Sequence, residues 1–137
     1  MRESVVLMQE EKSHVAAPLE KEEMEEAKEA TRKMFSEDPP DSVFVANDHM
    51  ALAVMDTIRF ELGLKIPDDV SVVGYDDVPA ASWPAYNLTT IRQPVNKMID
   101  ETVRILMNKI NNTQIKPQRV KIASPLVIRG STRIKKG

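Results

Sequence analysis

The chain has 137 residues, a formal net charge of −2 and no cysteine. That length suits one domain; the near-balanced charge supplies no general basic field to draw it onto nucleic acid, and the lack of thiols excludes disulfides and thiolate metal sites. No stretch approaches the roughly 20 apolar residues that cross a bilayer, and residues 1–6 carry no signal-peptide core, so a cytoplasmic protein without membrane contact is expected.

The first element expected is a short strand over the apolar run at residues 5–8. Residues 20–35 read as a helix, with Met24, Ala27, Thr31, Met34 and Phe35 on one face at spacings of three and four. Glutamates crowd its first turns, where the positive end of the helix dipole favours them; a solvated helix face accounts for them without a bound cation. Residues 38–41 form a loop around Pro39 and Pro40.

Residues 43–46 are continuously apolar, as in a parallel strand buried on both faces. A second helix follows over residues 49–62, with Ala51, Val54, Met55, Ile58 and Leu62 on one stripe and Gly63 placed to end it. Residues 70–75 read as the next buried strand, closed by Asp76-Asp77-Val78-Pro79. Residues 80–93 read as a long irregular segment. Pro94 then opens a helix reaching residue 110, where its missing N–H costs nothing. Val95, Met98, Ile99, Thr102, Val103, Leu106, Met107 and Ile110 give that helix a wide apolar stripe. Residues 120–128 read as one bent strand or two short ones, and the tail from Arg129 is basic. Strands alternating with helices imply an α/β fold with a mostly parallel sheet flanked by helices.

Open α/β sheets bind ligands beyond the carboxyl ends of their strands. Asp48 stands there after the second strand, and Asp76 and Asp77 after the third. A carboxylate at such an edge can accept hydrogen bonds from sugar hydroxyls; Asp48 can equally cap the following helix, and the Asp76-Asp77 pair can serve a turn. Trp83, Pro84 and Tyr86 fit either local loop packing or a protein interface. Catalysis has little to build on. His49 beside Asp48 has no third ligand at helical spacing, and there is no phosphate loop or nucleophile elbow. A receiver-like site needs an acidic pair directly after the first strand, but Met8 and Gln9 precede Glu10 and Glu11. No metal, cofactor or enzymatic activity is expected.

Residues 45–53, Val-Ala-Asn-Asp-His-Met-Ala-Leu-Ala, resemble the Ala-Asn-Asp-x-Met-Ala motif of the LacI/GalR family of repressors. Residues 66–79, Ile-Pro-Asp-Asp-Val-Ser-Val-Val-Gly-Tyr-Asp-Asp-Val-Pro, resemble the family's next block. Residues 88–94, Leu-Thr-Thr-Ile-Arg-Gln-Pro, and 125–132, Pro-Leu-Val-Ile-Arg-Gly-Ser-Thr, resemble its last two, and these favour the repressors over related periplasmic sugar-binding proteins. The resemblance implies an incomplete C-terminal lobe of a type I periplasmic-binding-protein-like domain. Residues 1–93 and 118–137 would belong to that lobe, and residues 94–117 to a helix of the N-terminal lobe, with no DNA-binding domain included.

The family binds a sugar or nucleoside-related effector between its lobes, and the bound effector alters lobe orientation and operator affinity. By resemblance, Asp48 accepts effector hydroxyls, with Asn47 as a lesser contact. Ala81, Ser82, Trp83 and Tyr86 lie in the dimer-contact loop, and Arg92, Gln93 and Pro94 near the hinge. The partners implied are a small-molecule effector, a sugar for preference, and a second copy of the chain or a higher homo-oligomer, with no direct nucleic-acid contact. Two departures stand out. His14, Val15 and Leu19 occupy a region where the family carries a sugar-stacking aromatic. The family's DNA-binding head, most of its N-terminal lobe and the first strand–helix unit of its C-terminal lobe, with an effector-clamping arginine, have no counterpart in these residues. A sheet without that central strand is expected to self-associate, exchange strands or rearrange. A transport-system solute-binding module, and more remotely a receiver-like or hydrolytic enzyme using Asp48 and Asp76, are the competing readings.

Overall fold

A computed structural model describes residues 5–8, 18–112, 114 and 116–134. Its elements in chain order are β1 (Val5–Met8), α1 (Pro18–Glu37), β2 (Ser42–Val45), α2 (Asp48–Asp56) running on as a π-helical turn (Thr57–Glu61), β3 (Ser71–Asp76), a 3-10 turn (Pro79–Ser82), β4 (Thr89–Arg92), α3 (Val95–Asn111) and β5 (Leu126–Val127). The strands lie side by side in that order, β1 to β4 parallel and β5 antiparallel to β4. The mostly parallel α/β sheet is the one expected.

The amphipathic stripes set the packing. Ala27, Thr31 and Phe35 of α1 are buried, as are Ala51, Val54 and Met55 of α2 and Ile58 beyond it. They meet Val43, Val45 and Val72 in one apolar core. Thr31 enters that core because its hydroxyl donates to Ala27 O at 2.6 Å. Gly63 ends the helix with φ +66°, and Leu64 N–H reaches back to Ile58 O at 3.0 Å. Right-handed crossovers between parallel strands laid down in one direction place both helices on the same face. That corrects the expectation of strands buried on both faces: along β2 and β3, Val43, Val45, Val72 and Gly74 are buried, while the alternate Phe44, Val73 and Tyr75 are half-buried.

The sheet has no gap between its strands. Val5, Val6, Leu7 and Met8 of β1 register with Ser42, Val43, Phe44 and Val45 of β2. Of the outcomes foreseen for a missing central strand, a rearranged sheet matches the order of the described strands within the chain. Two further readings need correction. Thr89–Arg92 is a strand inside the segment read as irregular. It is held by Ser131, whose Oγ accepts from Thr89 N–H at 2.8 Å and donates to Val72 O at 2.6 Å. Residues 120–125 are not strand, leaving β5 with two residues. The apolar stripe on α3 is largely exposed, and the helix buries none of its residues. Glu10, Glu11, His14 and Val15 lie outside the described residues.

Candidate functional site

The carboxyl ends of β2, β3 and β4 bring together Asn47-Asp48, Asp76-Asp77 and Arg92-Gln93. Asn47 is the residue that caps α2: with extended backbone, its side chain accepts from Met50 N–H at 2.8 Å. The amide nitrogen of Asn47 has no hydrogen bond among the described residues.

Asp48 does not cap the helix, one of the two roles considered for it. It is the first helical residue rather than the cap, and it is 0% exposed. Its Oδ1 accepts from Thr90 Oγ1 at 2.7 Å and its Oδ2 from Val78 N–H at 3.0 Å. The carboxylate therefore ties the start of α2 to β4 and to the loop after β3, and the helix dipole favours its charge. Gly74 makes the space for it, since a Cβ there would lie 2.1 Å from Asp48 Oδ1. Within this chain the carboxylate is enclosed, and each of its oxygens already accepts one hydrogen bond.

Asp76 and Asp77 are more than a turn. Both have positive φ, 122° and 59°. Such backbone costs about 1–3 kcal/mol per residue and persists where surrounding contacts over-determine it. Asp76 Oδ1 accepts a short hydrogen bond from Gln93 Nε2, and its other oxygen has no partner among the described residues. Asp77, with a side chain 8% exposed, sits between two guanidiniums: Arg92 Nε lies 2.5 Å from Oδ2 and Arg129 Nη2 lies 2.6 Å from Oδ1. Burial pushes the Asp77 carboxyl up, but the hydrogen bonds and charges of Arg129 and Arg92 outweigh it and hold the carboxyl below its ordinary value. Arg129 also donates to Leu88 O at 2.8 Å. Pattern reading noticed the two acids but not their partners, which stand 15–52 residues away. The sequence signal available was an acidic pair closing one strand and an Arg-Gln pair closing the next.

The four loop residues divide. Ala81 is fully buried in the core of the chain. Tyr86 is half-buried, its hydroxyl donating to Asp56 Oδ2 at 3.2 Å. Ser82 and Trp83 face outward, Trp83 with 57% of its surface exposed. Arg59 clamps the same loop by donating to Ala85 O at 2.5 Å. At the expected hinge, Arg92 ends β4, Gln93 holds Asp76, and Pro94 precedes the first turn of α3. Among the described residues, no group of His, Asp or Glu could hold a metal ion, and no helix is long and apolar enough to cross a membrane.

This arrangement gathers hydrogen-bond donors and acceptors at one edge of the sheet. Residues 1–132 match the model of the periplasmic binding protein-like domain family. The chain therefore belongs to the periplasmic-binding-protein-like domain family, as part of a LacI/GalR-type effector domain. Over 112 residues it is 31% identical to the probable HTH-type transcriptional repressor ExuR of Bacillus subtilis (strain 168), covering 81% of this chain and 33% of that protein. Over 102 residues it is 38% identical to the HTH-type transcriptional repressor PurR of Mannheimia succiniciproducens, covering 74% and 30%. Among solved structures it is similar to the transcriptional regulator CelR in complex with cellobiose, with a TM-score of 0.72 and 33% identity over 79% of this chain and 33% of that one. The chain spans about a third of the length of these curated relatives.

Proposed function

We propose that the chain forms the effector-sensing and dimerising part of a LacI-type transcriptional regulator, working in the cytoplasm as a binding module and not as an enzyme. The observation that carries this is the polar edge made by Asn47, Asp76 and Gln93. An amide donor and a carboxylate acceptor stand at the carboxyl ends of neighbouring strands, each retaining hydrogen-bonding capacity. That donor–acceptor pairing suits vicinal hydroxyls, and cellobiose in the CelR complex supports a sugar as the effector class. Asp48 supports the edge from beneath.

Residues 1–93 and 118–137 make up the C-terminal lobe in this reading, and residues 94–117 carry α3 into the other lobe, where its uncovered apolar face finds a partner. The hinge is Arg92-Gln93-Pro94. Ser82 and Trp83 provide the outward face for a second copy of the chain. The chain itself makes no contact with DNA. That the relatives are repressors weighs against a transport-system module.

A thermal-shift screen of neutral mono- and disaccharides, cellobiose included, against the intact regulator tests the reading. At least one sugar is expected to raise Tm, and Asn47→Ala to diminish that rise. A screen in which no sugar moves Tm would count against a sugar effector.

A further inference from the structure

Because α3 buries none of its residues, side-chain packing does little to fix its angle to the sheet. Two stretches of chain join it to the sheet: Arg92-Gln93-Pro94 on the way out, and the residues leading into β5 on the way back. One carboxylate meets both the outgoing stretch and the segment that follows β5. On the outgoing side, Arg92 Nε bonds Asp77 Oδ2, while the Arg92 backbone N–H donates to Pro125 O at 2.9 Å, joining the outgoing and returning stretches. Beyond the returning stretch, Arg129, two residues past β5, bonds Asp77 Oδ1. Next to it, Asp76 holds Gln93. The consecutive positive φ angles of Asp76 and Asp77 aim the two carboxylates at successive residues of the outgoing stretch.

We propose that Asp77 is a positioning residue for the effector response: its carboxylate fastens the outgoing stretch to the segment that follows β5 and so sets the angle at which α3 leaves the sheet. The inference rests on the effector-sensing reading, and divides the work between neighbours. Asp76, with an oxygen to offer, meets the ligand. Asp77, enclosed by two guanidiniums, does not, and keeps the pivot in register while Gln93 responds. The neutral amide of Asp77→Asn has one acceptor oxygen where the carboxylate has two, so it cannot accept from both guanidiniums in the same geometry.

Hydrogen–deuterium exchange on this chain tests the proposal, comparing the parent with Asp77→Asn and Arg92→Gln. Exchange in residues 92–98 and 120–127 is expected to quicken at least tenfold in both variants, while residues 43–45 and 71–75 keep the parent rate. Arg92→Lys, which retains the cation, is expected to restore part of the protection. Equal quickening in the core strands would mark a merely stabilising ion pair and overturn the proposal, as would unchanged exchange at 92–98. If Asp77→Asn does not fold, Arg92→Gln decides alone: its side chain is 55% exposed and Asp77 keeps Arg129. Failure of the effector reading shows separately, as a negative sugar screen with the exchange pattern intact.

Discussion

Gly74 and Asp48 are locked together: a Cβ on Gly74 would lie 2.1 Å from Asp48 Oδ1 and 3.0 Å from Leu88 Cδ2. Neither neighbour can withdraw, because Asp48 is held by Thr90 and Val78 and Leu88 is fully buried. Gly74→Ala is therefore expected to destabilise the chain by about 3 kcal/mol, at the upper end of overpacking costs. Urea denaturation of both proteins measures it, and an unchanged midpoint would show that the carboxylate has room to move.

Asp48→Asn turns one of two acceptors into a donor facing either the Val78 N–H or the Thr90 hydroxyl. The threonine hydroxyl can rotate to accept, but its bond is then no longer charge-assisted. The expected loss is about 2 kcal/mol, the scale of a compromised buried hydrogen-bond pair. Asp48→Ala should cost more, because the Val78 N–H and Thr90 hydroxyl both lose their acceptor. Differential scanning calorimetry that ranks the two variants the other way would contradict the assignment.

The Asp77 fork gives stability a dependence on acid. The carboxyl is held below its ordinary value of 3.8 when folded, so its contribution is fully present above that value and is lost as pH falls from there through the lower folded value. The stability gap between the parent and Asp77→Asn should stay constant from neutral pH down to mild acid and then close as pH drops below 3.8. Denaturation series at several pH values read this directly, and a gap that persisted at full strength in strong acid would refute an ionic origin.

Trp83 is exposed on a loop whose neighbours are pinned, Ala81 in the core and Tyr86 on Asp56. Replacing it with alanine should cost the fold little but weaken self-association at least tenfold, as loss of an aromatic interface anchor does. Sedimentation velocity across a concentration series gives the constant. Equal association of Trp83→Ala and the parent would place the interface elsewhere.

Much of the architecture was legible because it rests on local periodicity. The stripes on α1 and α2 and the glycine stop at Gly63 all follow from spacing, and the structure buries or bends them accordingly. β4 was hidden because Thr89 and Thr90 are buried by bonding to Arg129, Ser131 and Asp48 rather than by being apolar. The strand expected at residues 120–125 failed for the opposite reason: β-branched residues there meet no partner strand. In the site, the acids were visible but their division of labour was not. Position alone offered Asp48 as a helix cap or a ligand carboxylate, because it cannot reveal Thr90, 42 residues on, or the space left by Gly74.

Operator release by the intact regulator, followed by fluorescence anisotropy as a sugar identified in the screen is added, tests the central claim most directly. Asp76→Asn should need at least tenfold more sugar for release, with sugar-free operator affinity and Tm unchanged. Asp48→Asn should lower Tm and leave the sugar midpoint close to the parent's. The reverse pattern, with Asp48 governing the midpoint and Asp76 only stability, would contradict the assignment of the effector edge to Asn47, Asp76 and Gln93.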